Sequence, residues 1–497
     1  MSDLLRRGRL GSARRDFVKF TSSIKSDKKL LKPVININKA HMVMLIEREI
    51  IESAEGTAIL DALNKLKEGL RLKSSLEDVH MTVEEAVIKT VGPEIGGNLN
   101  LAKSRNDQVS TAVRMALREE LIKLSMTTIE LQESLINLSK KHLETLIPGY
   151  THLQPAQPIT FAHYLLSYFD AFERDLKRIG ETYGRVNLCP MGAGALATTS
   201  FPVSRERITE LLGFSGILEN SVDAVSSRDF LLESLAVLSV MAVDVSRFVE
   251  DMIIWSSSEF GILELSDEFA STSSIMPQKK NPDVLEVIRA RMSHILGDFF
   301  ASAMGMKALP SSYNLDLQEV TPKLWDALET MEDSLGMLSK IIPHLRVNRD
   351  VFDKPSLSFL TSTELANMLV RKYGVPFRTA HRIVGSLVKV LMEKGESLLS
   401  ATPELLSRVA HETARIQLRV KTEDIRLSTD PLNFVESHRV RGGPAKTEVE
   451  RMLKEREKSL SLLKDGVLKE KERLADAEKR LELVVKSRLE AKGLRKI

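Results

Sequence analysis

The chain has 497 residues, which is more than one hydrophobic core usually covers, so we expect two or three folding units or one elongated unit. Hydrophobic residues make up 43% and charged residues 28% of the sequence, and these ordinary globular values exclude a wholly disordered or collagen-like chain. Lys and Arg together number 71 against 68 for Asp and Glu, a net charge of +3. That balance excludes a chain that binds nucleic-acid backbones over its whole surface.

Cysteine usage and the N-terminus bear on the cellular compartment. Cys189 is the only cysteine, which excludes an intramolecular disulfide framework and a multi-cysteine metal site. A cytoplasmic, reducing compartment fits best. Arginines crowd the first fifteen residues without an apolar signal core, so we interpret this segment as a basic arm, with an Arg-rich transit peptide as the alternative. The longest uncharged stretch, residues 186–204, is interrupted by Gly and Pro and does not indicate a membrane span.

Long helical patterns occupy the middle of the chain. From Gln108 to Ile147 apolar residues recur at steps of three and four without Gly or Pro, which predicts a helix about 60 Å long. Further helices are predicted at about residues 159–186, 226–260, 282–307 and 322–345. Since a mean helix has about 11 to 12 residues, these lengths indicate an all-α protein built on an elongated bundle.

The stretch from Ser226 is apolar on nearly its whole circumference. A helix of that kind needs burial on every side, so oligomerisation through helices is the natural solution, and a central helix in a monomer is the alternative.

Four regions follow from these patterns. We predict an N-terminal helical domain at residues 1–107, a central long-helix bundle at 108–345, and a C-terminal helical domain at 346–447, where helices shorten and Thr402 with Pro403 indicates a cap and first turn. Residues 448–497 form a charged helical extension with a coiled-coil-like apolar spacing. Its charges are interpreted as a solvated face, with an RNA-binding tail as the alternative.

A first polar cluster, residues 103–108, precedes the longest predicted helix. Arg105 can bind a carboxylate with two hydrogen bonds, and the amide of Asn106 can both donate and accept. The alternative is a helix cap that uses Asn106 or Asp107.

A second cluster, residues 149–158, joins two predicted helices. It places His152 in a corner between them, beside polar neighbours and two prolines, and Pro158 can open the next helix. A surface or capping histidine is the alternative.

A third cluster, residues 271–282, is rich in Ser, Thr and Lys and leads into a helix with Asn281 as the expected cap and Pro282 as its first residue. Backbone N–H groups, the positive helix end and Lys279 together predict an anion pocket. A solvated linker is the alternative.

Two further patterns carry no function. The glycines of residues 192–197 match a dinucleotide-binding loop, but no parallel-sheet context surrounds them. The histidines show no zinc-binding spacing, so no catalytic metal is expected.

Together the three clusters resemble the argininosuccinate lyase family of the fumarase/aspartase superfamily. The superfamily signature reads Ser-Ser-Ile-Met-Pro-Gln-Lys-Lys-Asn at residues 273–281. Ser-Arg-Asn-Asp-Gln at 104–108, Gly-Tyr-Thr-His-Leu-Gln at 149–154, and Tyr-Asn-Leu-Asp-Leu-Gln-Glu at 313–319 favour this family over adenylosuccinate lyase, fumarase or aspartase. The similarity covers about residues 7–449, and the final helix extends beyond the family's usual end.

The resemblance implies an all-α homotetramer in which the long helices form one shared bundle and three chains build each active site. It also implies the reversible elimination of argininosuccinate to arginine and fumarate, with no metal, organic cofactor, nucleic acid or membrane involved.

Residue roles follow from the same resemblance. Ser273 is the expected base that removes a proton from the succinyl carbon, and the resulting carbanion places a second negative charge on a carboxylate, which Lys279 can stabilise. His152, paired with Glu286, is the candidate group for the departing guanidine. The expected substrate contacts are Ser23, Asp78, Arg105, Asn106, Thr151, Asn281, Tyr313 and Gln318, with Arg228 near the site.

The sequence departs from the family pattern in three places. Thr272 stands where a glycine is usual and Lys103 where an arginine is usual, and both changes are mild. Thr321 replaces a carboxylate-binding lysine. Lys323 could take its place if Pro322 begins a new helix and bends the chain there.

Other functions remain open at this point. A sister lyase that releases fumarate from another succinyl-amine adduct is the nearest alternative, motivated by Thr321. A catalytically inactive structural homologue and a helical scaffold are further alternatives, against which the intact His152, Ser273 and Lys279 argue.

Overall fold

The structure, a computed structural model, describes residues 11–66, 70–72 and 76–494. Most arginines of the predicted basic arm belong to residues 1–10 and lie outside the described residues. The all-α class is confirmed. The helices are α1 Arg15–Thr21, α2 Leu31–Glu47, α3 Ser53–Lys65, α4 Val79–Val91, α5 Pro93–Gly96, α6 Arg105–Lys141, α7 Phe161–Val186, α8 Arg205–Leu211, α9 Ser221–Ser226, α10 Asp229–Trp255, α11 Asp283–Met306, α12 Asp316–Ile341, α13 Ser362–Tyr373, α14 Phe377–Glu393, α15 Pro403–Ala414, α16 Thr422–Thr429, α17 Pro431–Ser437 and α18 Lys446–Leu494.

Short strands form four two-stranded pairs among the described residues. They are β1 Leu146–Thr151 with β2 Gln154–Thr160, β3 Leu188–Cys189 with β4 Gly216–Ile217, β5 Leu263–Glu264 with β8 Arg346–Val347, and β6 Ser271–Thr272 with β7 Lys280–Asn281. None of the helices in the described part of the chain is both long and apolar enough to cross a membrane.

Five long helices form the central bundle. Helix α6 packs against α7 and α12, α10 packs against α7 and α11, and α11 packs against α12. Ser104 and Asp107 form a capping box at the start of α6, and the Thr160 hydroxyl accepts the His163 N–H at the start of α7. The helices run alternately up and down, so the starts of α6, α10 and α12 lie at one end of the bundle. We call it the cavity end, and the opposite end the hairpin end.

The predicted corner around His152 is wrong in its local structure. Residues 146–160 form an antiparallel hairpin, in which Leu146 pairs with Thr160 and a register shift lies between Gly149 and Tyr150. Pro158 therefore lies in a strand and does not open α7. Proline is tolerated in a two-stranded ribbon because one edge of each strand lacks a partner.

The C-terminal region has a core of its own. Apolar side chains of α13, α14 and α15, including Leu365, Leu387 and Leu406, form a buried cluster distinct from that of the bundle. The predicted cap at Thr402 is confirmed, since its hydroxyl accepts the Leu405 N–H at 3.2 Å. The division into four regions stays a prediction.

Helix α18 is longer and more closely packed than its charged sequence suggested. Its 49 residues extend over about 74 Å, and it packs along α6 and against α2, α3, α7 and α8. Val449, Leu460, Leu481 and Val485 on its inner face join the bundle's core. Many of its charges are paired with the body of the protein and are not simply solvated.

Candidate active site

A cavity of about 350 Å³ opens at the cavity end, a size typical of small-molecule sites, which range from about 300 to 1,000 Å³. Its walls come from the segment around α1, the start of α4, the start of α6 and the start of α12. It brings together six of the predicted substrate contacts, Ser23, Asp78, Arg105, Asn106, Tyr313 and Gln318. These residues lie almost 300 positions apart in sequence, and only the antiparallel bundle brings them together.

An ion pair on the cavity wall orients Arg105. Its Nη1 lies 2.9 Å from Oδ2 of Asp78, while Oδ1 of Asp78 caps α4 by accepting the Met81 N–H at 2.7 Å. The Nη2 atom of Arg105 is buried and has no hydrogen-bond partner among the described residues. Because a buried unpaired donor is costly, this nitrogen is well suited to bind a ligand's carboxylate.

Asn106 and Asp107 bind the loop that precedes α8. Asn106 donates from Nδ2 to the Ala195 carbonyl at 3.0 Å, and Asp107 Oδ2 accepts the N–H groups of Gly192 at 3.1 Å and Gly194 at 2.8 Å. Burial raises the pKa of Asp107 to about 6. The capping interpretation of this cluster is thus partly correct, because Asp107 completes the box begun by Ser104 while Arg105 and Asn106 line the cavity. The glycine pattern at 192–197 is a structural loop.

Tyr313, in the loop before α12, and Gln318 on α12 line the cavity, and Arg228 before α10 lies close to Tyr313. Burial raises the pKa of Tyr313, and the nearby Arg228 guanidinium lowers it. Arg228 itself is buried and donates to the Ser227 carbonyl at 2.8 Å, so it lies behind the wall. Gln318 donates from Nε2 to the Thr21 carbonyl at 2.9 Å and ties α12 to the N-terminal segment.

Sequence reasoning missed two buried titratable residues that line this cavity, Asp27 and His80. Oδ2 of Asp27 accepts the Ser23 hydroxyl at 2.8 Å and the Val79 N–H at 3.0 Å. Burial raises its pKa from 3.8 to about 6. His80 Nδ1 lies 3.1 Å from Gln108 Oε1, and burial lowers the pKa of its ring. The only local signal for Asp27 is its position four residues after Ser23.

The suggested replacement of a lysine by Lys323 does not hold within one chain. Helix α12 continues through Pro322, so Pro322 does not begin a new helix. Thr321 lines the cavity, whereas Nζ of Lys323 lies 3.1 Å from Oδ1 of Asp298 on α11. Two residues turn a helix by about 200°, which separates the two side chains.

The third cluster lies at the hairpin end, as a loop closed by β6 and β7. Ser273 is half-buried, and its Oγ accepts the N–H groups of Ile275 at 3.3 Å and Met276 at 3.2 Å. Lys279 and Glu286 are exposed. Asn281 donates to Ser271 Oγ at 3.4 Å and does not cap α11, whose cap is Pro282.

Thr151 and His152 occupy the exposed tip of the β1–β2 hairpin. His152 and Leu153 both have left-handed backbone conformations, with φ of 56° and 55°. Such conformations cost energy in residues other than glycine and are concentrated at functional sites. Leu153 is 65% exposed, so the tip projects from the body of its own chain.

The predicted site residues of one chain therefore fall into two groups. Helix α11 alone, with 24 residues between the Ser273 loop and Tyr313, separates the groups by about 36 Å. No small substrate could contact both ends of one chain.

Comparison with known proteins gives matches over most of the chain. A family model described as lyase matches residues 10–297, and one described as argininosuccinate lyase C-terminal matches residues 359–436. The argininosuccinate lyase of Methanocaldococcus jannaschii is 43% identical over 91% of this chain and 93% of its own length. The chain belongs to the argininosuccinate lyase family. A member from Methanosarcina mazei is also 43% identical, over 93% of this chain and 94% of its own. A crystal structure of EDDS lyase in complex with formate has a TM-score of 0.88 at 30% identity, and the match covers 97% of each chain.

Proposed function

We propose that this enzyme catalyses the reversible elimination of argininosuccinate to arginine and fumarate, in the cytoplasm and as a homotetramer. The observation that carries the proposal is the cavity with Ser23, Asp78, Arg105, Asn106, Tyr313 and Gln318 on its walls, in a chain 43% identical to an argininosuccinate lyase.

The cavity suits a substrate that carries both signs of charge. Asp27 and Asp78 offer carboxylates to the cationic amino-acid end, and the buried Nη2 of Arg105 offers an unpaired donor to a carboxylate. Ser23 and Gln318 add neutral hydrogen-bonding groups to the same walls.

Chemistry would take place where the hairpin end of another chain meets this cavity. The Ser273 alkoxide removes the proton from the succinyl carbon next to a carboxylate, and the electron pair moves into that carboxylate. Two backbone N–H groups already point at Ser273 Oγ, and with Lys279 they provide the positive field that an alkoxide requires. Asn281 then helps to hold the doubly charged carboxylate.

The carbon–nitrogen bond breaks next, and the guanidine leaves as the carbon–carbon double bond of fumarate forms. The leaving nitrogen needs a proton or a positive neighbour, which His152 supplies with Glu286 as its partner. Both side chains are exposed in the single chain, so we propose that they pair between chains. Thr151, beside His152, then contacts the succinyl end.

Exposed apolar residues support the assembly. Val240 and Val243 on α10 are 43% and 46% exposed, and Phe300 and Met304 on α11 are 66% and 48% exposed. These two helices pack against each other, and exposed apolar side chains of this kind are typical of surfaces that oligomer interfaces cover.

A second candidate is a sister lyase that acts on another succinyl-amine adduct. It is favoured by Thr321 at the cavity wall and by the similarity to EDDS lyase. The experiment is to follow the ultraviolet absorbance of fumarate with argininosuccinate, adenylosuccinate and EDDS in turn. Release from argininosuccinate supports the proposal. Release from another adduct alone supports the sister lyase, and release from none supports an inactive homologue.

A further inference from the structure

Helix α18 touches the loop after α8 through two very small residues. Gly213, two residues after the end of α8, has a φ of +66°, and a Cβ atom added there would lie 2.5 Å from the Cβ of Ala477. Ala477 is 7% exposed. A larger side chain at either position would push α18 and the loop apart, because packed interiors have little room for added atoms.

Two arginines bind the same carbonyl at this contact. Arg473 of α18 donates to the Gly213 oxygen at 2.7 Å, and Arg118 of α6 donates to it at 2.9 Å. Arg118 also donates to the Leu212 oxygen at 3.1 Å. The last carbonyls of a helix lack partners within the helix and carry partial negative charge, so they attract cations. The end of α8 is thereby held between the bundle and α18.

The other end of α8 supports the cavity. Arg205, its first residue, donates from Nε to the Met191 oxygen at 3.1 Å and from Nη2 to the Leu218 oxygen at 2.6 Å. Its side chain also packs on Gly192, where an added Cβ would lie 2.7 Å from its Cγ. Gly192 and its neighbours form the loop that binds Asp107 and Asn106, the latter a cavity residue.

The backbone also connects the Gly213 contact with the 190–195 loop. Gly216 of β4 follows Gly213 by three residues and pairs with Leu188 of β3, which leads directly into the 190–195 loop. Glu47 at the end of α2 adds a third link, since it accepts from Arg207 of α8 at 2.9 Å and lies 3.4 Å from Arg488 of α18.

We infer that α18 positions the substrate cavity, and that Ala477 and Arg473 are positioning residues that act through Gly213, α8 and the 190–195 loop on Asn106. The matched family model for the C-terminal region ends at residue 436, before α18 begins. The expected change in KM rests on the proposed function, whereas the expected loosening of the 190–195 loop does not.

The test compares two leucine variants of the same helix. Ala477→Leu separates α18 from Gly213, whereas Ala475→Leu adds the same side chain at an exposed position. We expect Ala477→Leu to raise KM for argininosuccinate about fivefold or more while kcat changes less than about twofold, because the disturbed residues bind substrate and do not transfer protons. Ala475→Leu should leave both constants unchanged, and Ala477→Ser should keep a near-normal KM.

A third variant separates positioning from general stability. Leu460→Ala removes a buried contact of α18 in its other half, and should lower thermal stability without changing KM. Hydrogen exchange measured by mass spectrometry on peptides covering residues 190–198 should speed up in Ala477→Leu and not in Leu460→Ala. If KM and this exchange stay at wild-type values in Ala477→Leu, the inference is wrong. If the wild type does not cleave argininosuccinate, the proposed function fails, and the exchange result alone decides the positioning role.

Discussion

Asp27 allows a quantitative prediction, because its buried carboxyl should lower the stability of the protein while it helps to bind substrate. The residue is 5% exposed, and burial raises the pKa of its carboxyl from 3.8 to about 6. The folded state therefore holds a proton more tightly than the unfolded state does. Because the folded state binds this proton more tightly, the stability of the protein falls as pH rises from about 4 to about 6. Above about pH 6 the full cost of the buried charge is present.

Asp27→Asn removes that cost with little change in shape. The amide oxygen can still accept from Ser23 and Val79, which are the two donors of the wild-type carboxylate. With a pKa of 3.8 in the unfolded state and about 6 in the folded state, the wild-type carboxyl lowers the free energy of unfolding by about 1.5 kcal/mol at pH 5 and about 3 kcal/mol at pH 8. The variant's gain over the wild type should thus grow by about 1.5 kcal/mol between these two pH values.

Urea unfolding of the variant and the wild type at pH 5 and pH 8, at one protein concentration, measures this difference. Asp476→Asn, at an exposed position on α18, serves as the control for simple loss of a carboxylate. Fumarate release should show the opposite trend, with KM for argininosuccinate about tenfold higher or more, because a charge-assisted contact is worth about 1.5 to 3 kcal/mol. A stability gain that is equal at both pH values would refute the reasoning.

The remaining predictions test the roles of the hairpin end and of α12. Ser273→Ala should lower kcat about a thousandfold or more while substrate still binds, and Thr272→Ala should not; normal turnover would remove Ser273 from its role. The variants His152→Asn and Ser273→Ala should each be inactive alone, but when they are refolded together about a quarter of the sites should be active. If hybrid oligomers form and no activity returns, the sites are not shared between chains. Thr321→Lys should lower KM about tenfold, and Lys323→Ala should change it less than about twofold; the reverse pattern would place Lys323 in the site.

The helical bundle could be predicted from the sequence because its signal is local and repeated. Long runs with apolar residues at steps of three and four admit few alternatives, and the run that forms α6 contains neither Gly nor Pro. The β1–β2 hairpin could not be predicted in the same way. Pro148, Pro155 and Pro158 obscured its strands, and two non-glycine residues in left-handed conformations form its tip. Such a turn depends on its surroundings and leaves no composition signal.

Some residues of the cavity could likewise be predicted from the sequence, and others could not. Arg105 and Asn106 stand in a dense polar cluster, and such clusters are visible in a sequence. Asp27 and His80 were missed because each has ordinary neighbours, and their burial arises only when the turn at residues 27–30 packs against α4 and α6. Likewise, the role of Lys323 depended on whether Pro322 bends α12. Proline inside a helix removes one hydrogen bond but does not always end the helix, and here it does not.

The order of the motifs along the chain carries a further argument about assembly. The 104–108 cluster opens α6 and the 149–158 cluster follows it, and the 37 residues of α6 place about 55 Å between the two clusters. Two chains related by a twofold axis perpendicular to the bundle place the cavity end of each beside the hairpin end of the other. A site built from two chains alone would take His152 and Ser273 from one hairpin end, so the proposed pairing of His152 and Glu286 between chains requires a third chain at each site. With the proposed substrate contacts at one end and the proposed base, Ser273, at the other, a single chain is expected to need partner chains for activity, so a monomeric variant that stays folded should not turn over substrate.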